Sequence, residues 1–129
     1  MGSFFMPRKK KQSKPSKKKL LIEWSKQVRN RDCNKCVICG KTEHIQAHHI
    51  LQKKRFPEYQ FCIENGISLC PTHHNFGHFS VHMNAVFFSE WLRLNRPEQF
   101  RWVLEKMVEW KKNRLHNNIT TAENSNMQP

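Results

Sequence analysis

A chain of 129 residues is long enough for one domain with a modest core and too short for two independent domains of usual size. Apolar residues make up 37%, below the roughly 45–50% of ordinary soluble domains, so a source of stability other than burial is expected, with a structural metal the leading candidate. Lysine and arginine number 23 against 10 acids, a balance that suits a polyanionic partner and argues against an acidic one.

Eight of those cations fall in residues 1–19, where there is no acid, leaving 15 cations against 10 acids in the remainder. The arm is expected to be disordered alone and to track phosphate backbones through Arg8, Lys9, Lys10, Lys11, Lys17, Lys18 and Lys19. A nuclear-import signal or a solubility tag has the same composition. No run approaches the roughly 18–20 apolar residues of a membrane span, and the start lacks the apolar stretch of a signal peptide. An intracellular protein without membrane contact is expected, cytoplasmic or, if phage-encoded, in the host cytoplasm.

From Lys19 to Arg31, Leu20, Leu21, Trp24 and Val28 recur at helical spacing and predict an amphipathic helix. Ala47-His48-His49-Ile50-Leu51 reads as a short strand, Glu64-Asn65-Gly66 as a turn, Ile67-Ser68-Leu69-Cys70 as a second strand, and the segment from Pro71 as a helix start. Val86, Phe87, Trp91, Leu92 and Leu94 predict another helix that stops at Asn95-Arg96-Pro97. Asn95 is then placed to cap a last helix whose apolar stripe, from Phe100 through Val103, Leu104, Met107, Val108 and Trp110 to Leu115, reads as core. One domain over 20–115 follows, with 116–129 a disordered polar tail. The fold class is small α+β.

All five cysteines and seven of the eight histidines lie in residues 33–82. An odd cysteine count without a secretion signal points to reduced thiols and metal ligation instead of disulfides. Cys36-Val-Ile-Cys39-Gly40 is a C-x-x-C knuckle, and Cys70-Pro-Thr-His73 repeats the spacing about thirty residues later. Cys36, Cys39, Cys70 and His73 therefore predict a closed tetrahedral zinc site, structural because four protein ligands leave no open position. Cys33-Asn-Lys-Cys36 offers a competing register, disfavoured by the glycine directly after Cys39; Cys33 and Cys62 are then surplus thiols.

A plain zinc knuckle has no use for His48, His49, His74, His78 and His82. On a strand, the adjacent His48 and His49 point to opposite faces, so one can bind metal while the other meets substrate. Taken together, Cys36-x-x-Cys39-Gly40, Ala47-His48-His49-Ile50, Asn65-Gly66-Ile67-x-Leu69-Cys70 and His73-His74 resemble the HNH endonucleases over about residues 20–82. The resemblance implies a ββα-metal core with a structural zinc, flanked here by an N-terminal helix and two C-terminal helices. It implies His48 as a metal ligand, His49 as the general base, Asn65 as the residue that holds the loop and orients that base, and His74 as a ligand from the helix. The family's second knuckle is usually Cys-x-x-Cys followed by His, so here His73 takes the fourth zinc position, leaving open which of His73 and His74 serves which ion. The third ligand is His78, one helical turn after His74, or His82 if Gly77 ends the helix; His44 and His116 read as surface residues.

The implied activity is hydrolysis of DNA, with a double-stranded substrate expected, leaving a 5′-phosphate and a 3′-hydroxyl. The catalytic cation is expected to be magnesium or manganese, although nickel or zinc suits the same ligands. The competing readings are a catalytically inactive, zinc-stabilised nucleic-acid-binding module and a zinc-stapled scaffold. Monomer and homodimer are both compatible with the sequence.

Overall fold

A computed structural model describes residues 13–126. Arg8, Lys9, Lys10 and Lys11 of the basic arm lie outside the described residues. The elements run α1 (Lys17–Arg31), β1 (Gln46–His49), β2 (Gly66–Leu69), a π-helical turn (Thr72–Phe76), α2 (Ala85–Asn95) and α3 (Pro97–Asn126). This is a small α+β fold with an N-terminal helix before the core and two helices after it.

Helix α1 starts where the Ser16 side chain accepts a hydrogen bond from the Lys19 amide, 3.2 Å away. Lys17, Lys18 and Lys19 therefore form its first turn and are not part of a disordered arm. Trp24 and Val28, one turn apart, are its buried residues. They lie over Gly66, where an added Cβ would fall 2.3 Å from the Val28 side chain and 2.7 Å from the Trp24 ring. The glycine lets helix and hairpin approach this closely.

β1 and β2 pair antiparallel, with His48 opposite Ile67 and His49 opposite Gly66. All four residues of β2 are buried, and Ile67 and Leu69 join Cys36, Cys70, Phe88 and Leu92 in the main core. A smaller cluster of Leu51, Phe56 and Val103 fixes the long β1–β2 connection against α3.

Several boundaries differ from the sequence expectation. The helix expected from Pro71 is a single turn, closed by the Gly77 amide donating to the Thr72 carbonyl at 2.7 Å. In α2 the core-facing residues are Phe88 and Leu92, while Val86 and Leu94 are exposed, because Asn84 caps the helix and sets its rotation. Asn95 is the last residue of α2, its amide bonded back to the Trp91 carbonyl, and does not cap α3. α3 continues past Leu115 through the region expected to be a disordered tail, of which 127–129 lie outside the described residues. Its apolar stripe is only partly core: Val103 is buried, where α3 meets the β1–β2 connection, but Leu104, Met107, Val108 and Leu115 are exposed. No helix among the described residues is long and apolar enough to cross a membrane.

Candidate functional site

Two clusters of ligand-type side chains lie on either side of the hairpin's end. The first joins Cys36, Cys39, Cys70 and His73. Its knuckle is closed by the Gly40 amide on the Cys36 carbonyl and the Cys36 amide on the Lys41 carbonyl, both at 2.8 Å, with Gly40 at φ +77°, a left-handed backbone that suits glycine. The Val37 amide donates to the Ser68 carbonyl and attaches the knuckle to β2.

Cys39 and Cys70 sulfurs are 3.6 Å apart, and His73 Nδ1 lies 3.6 Å from the Cys36 sulfur and 3.3 Å from that of Cys70. A tetrahedral zinc ion has S–S edges of about 3.8 Å and S–N edges of about 3.5 Å, given its usual bond lengths. The donor set and spacing fit zinc. Burial raises the Cys36 thiol, but amides of Cys70, Cys39 and Ile38 directed at its sulfur outweigh this and hold it below the ordinary thiol range. Cys39 is pushed up by burial and by the neighbouring sulfurs, the mutual repulsion that a cation relieves. Cys33 is exposed, and neither Cys33 nor Cys62 belongs to the cluster.

The second cluster joins His48 from β1, His74 from the π-helical turn and His82 from the segment beyond it. Adjacent residues on a helical turn project roughly 90–100° apart, so His73 turns to the cysteines and His74 to His48. His82 returns to the site because the Val81 amide donates to the His73 carbonyl and Ser80, fully buried, is bonded to Gly77, Met83 and Asn84. His78 lies on the outside of that turn, is exposed, and is not in the cluster.

His74 Nε2 lies 3.2 Å from both His48 Nδ1 and His82 Nε2. Around a divalent ion with bonds near 2.1 Å, such edges are about 3.0 Å at right angles and about 3.4 Å in a tetrahedron, so the three nitrogens could share one cation. His74 Nδ1 lies 2.9 Å from Gln46 Oε1 and 3.2 Å from Asn75 Nδ2, while its Nε2 faces the cluster. Burial, followed by the charges of His74 and His82, lowers the His48 pKa to about 3; burial and His82 lower that of His74. Both stay in the neutral form that ligates metal.

His49 points away from this cluster, as period-2 alternation requires. Its imidazole lies on the Trp24 indole, centroids 3.8 Å apart and planes within 7°. A carbonyl can only accept, so the 2.9 Å contact to the Gln60 carbonyl makes Nε2 the protonated nitrogen and leaves Nδ1 with a free lone pair. Burial and the charge of nearby Lys53 hold the ring below its ordinary pKa against the raising effect of the Gln60 bond.

Asn65, fully buried, holds the β1–β2 connection at both ends. It accepts from the Leu51 amide at 2.7 Å and donates to the Leu51 and Tyr59 carbonyls at 3.0 and 3.2 Å. Fixing Tyr59 fixes the next carbonyl, that of Gln60, against His49. His48, His49 and His82 line one cavity of about 330 Å3, walled on its other side by Phe88, Leu92 and Val103.

Residues 36–82 match the family model of the HNH endonucleases. The match covers less than half of the chain. No curated protein and no solved structure matches the chain. The matched segment contains both clusters, His49 and Asn65, but ends before α2 and begins after α1. Trp24, on α1, lies outside it, and the sequence reading took this residue for core alone; Gln60, acting through its backbone, and Gln46 were missed as well. Only the apolar spacing around Trp24 was visible in the sequence, and that spacing does not distinguish a core ring from one supporting a histidine.

Proposed function

We propose that the protein is a metal-dependent DNA endonuclease in which His48, His74 and His82 hold one divalent cation, magnesium or manganese in the cell, and His49 is the general base. The observation that carries this is the division of labour at the histidine pair: His48 faces the ligand cluster, while His49 faces away with its Nε2 proton committed to Gln60. A ligand set without such a base would suit a binding module; the held tautomer and the shared cavity favour catalysis.

When bound, the cation supplies Lewis-acid stabilisation of charge on the scissile phosphate and the departing sugar oxygen. His49 takes the proton of the attacking water at Nδ1, and its lowered pKa keeps that nitrogen free near neutrality. Trp24 and the Gln60 carbonyl hold the ring in place, so the lone pair needs no reorientation at the moment of proton transfer. Asn65 is a positioning residue that acts through the loop it closes. The cysteine cluster with His73 holds the zinc that fixes the turn from which His74 projects, and the basic surface, including Lys17, Lys18 and Lys19 with Arg8, Lys9, Lys10 and Lys11, favours binding to DNA.

Incubating the zinc-loaded protein with supercoiled plasmid, with magnesium, with manganese or without added cation, tests this reading. Nicked or linear plasmid only when cation is added supports it; intact plasmid under every condition opposes it.

A further inference from the structure

Beyond the cluster and its base, the chain from β1 enters a turn, Lys53–Arg55, fixed by the amides of Arg55 and Phe56 donating to the Gln52 carbonyl at 3.1 and 2.8 Å. Phe56 is buried and packs its ring against Trp110 of α3, centroids 4.7 Å apart. The turn is thereby pinned beside α3. Arg114, one helical turn after Trp110, lays its guanidinium over that indole, 4.6 Å from the ring centroid.

Together Gln52, Lys54, Arg55, Trp110 and Arg114 line a concavity of about 710 Å3 with no carboxylate in its wall. Among the described residues no ion pair engages Lys54, Arg55 or Arg114; the ion pairs use Arg31, Arg93, Arg96 and Lys106. Three unneutralised cations in one concave surface concentrate positive potential and attract a polyanion. Gln52 also lines the cavity that holds His48, His49 and His82, so the two concavities meet at that residue.

We propose that this basic concavity binds the phosphodiester backbone of the DNA strand, a short distance along it from the bond presented to His49. The proposal rests on the nuclease reading above and adds where the substrate runs. Phosphate is the favoured ligand over a base because Phe56 and Arg114 already occupy the Trp110 ring, and because the forked donors of arginine match phosphate oxygens. An arginine already held on an aromatic ring loses less freedom on binding than a free one.

The test measures binding of a fluorescein-labelled DNA duplex across a salt series, with full-length His49→Ala protein as the parent so that the probe stays intact. Into it are placed Arg55→Ala with Arg114→Ala, or, as a control removing the same charge elsewhere, Lys26→Ala with Lys35→Ala. Far-UV circular dichroism and zinc content verify that each protein is folded. The expected result is a log–log salt slope shallower by about 1.8 for the arginine pair, at about 0.9 per phosphate contact, and little change for the lysine pair. An unchanged slope for the arginine pair in a parent that binds the duplex overturns the subsite and leaves the nuclease reading standing. Equal losses in both double variants overturn it too, as they reflect charge alone. A parent that binds no duplex overturns the subsite, and plasmid cleavage by the wild type then decides the nuclease reading independently.

Discussion

The Trp24 indole and the His49 imidazole are stacked at 3.8 Å, while Trp24 Nε1 donates to the Cys62 carbonyl at 2.8 Å, two residues from the carbonyl that receives His49. One side chain thus supports the ring from below and fixes the loop that fixes its edge. Trp24→Phe keeps an aromatic face but loses the loop bond. It is expected to lower kcat about ten- to a hundredfold through misplacement of the base, with DNA affinity little changed. Single-turnover cleavage compared with duplex binding checks this; equal losses in both would assign Trp24 to the fold alone.

The zinc cluster makes a contrasting pair of predictions. Cys70→Ala removes a buried donor from a site whose remaining sulfurs repel one another, so the domain is expected to lose zinc and its cooperative melt. Cys33→Ser, exposed and outside the cluster, should melt within about 0.5 kcal/mol of wild type. Zinc content and thermal unfolding read both, and a normal melt for zinc-free Cys70→Ala would contradict a structural role for the metal.

His82 and His78 are both near the end of the segment that matches the family model, but only His82 reaches His48 and His74. His82→Ala is expected to weaken manganese binding and cut the cleavage rate by at least about tenfold, as loss of one of three ligands should, while His78→Ala stays near wild type. The reverse pattern would reassign the third ligand.

The ligand-type motifs are legible in the sequence because a knuckle or a histidine pair is written in local spacing, and Cys36, Cys39, Cys70 and His73, like His48 and His74, do lie together. What stayed hidden depends on long-range approach or on backbone. Between His78 and His82 the sequence left the choice open, because the buried Ser80 turn that brings His82 back is announced by no periodicity. The Gln60 carbonyl has no side-chain signature at all. Trp24 lies far upstream of His49, and their contact exists because Gly66 admits α1 onto the hairpin. The extent of α3 was misjudged because its polar C-terminal part lacks the apolar rhythm that marked its start.

Asp32 was another residue without a sequence signal. Its buried carboxylate accepts from Arg31, from Arg96 and from the Ser68 amide, joining α1, β2 and the α2–α3 junction. Burial raises its pKa, but the arginine bonds outweigh burial and hold it below the ordinary 3.8. A depressed native pKa means stability that is present above about pH 4, where the unfolded carboxyl ionises, and lost as pH falls through the lower native value. Asp32→Asn is expected to cost roughly 2 kcal/mol near pH 7, less than for a fully buried pair because both arginines reach solvent. The difference from wild type should shrink on acidification below about pH 4. Denaturant melts of the two proteins across pH check the sign, and a gap that widens toward acid would be the wrong one.

The central claim is that His49 performs chemistry and does not merely support the fold or hold DNA. Its most direct measurement takes wild type and His49→Ala, both zinc-loaded, and follows supercoiled plasmid cleavage with magnesium or manganese beside duplex binding and thermal unfolding. Loss of the base should lower the cleavage rate by about 10²–10⁴-fold while binding and melting stay close to wild type. Cleavage by His49→Ala at the wild-type rate would contradict the account.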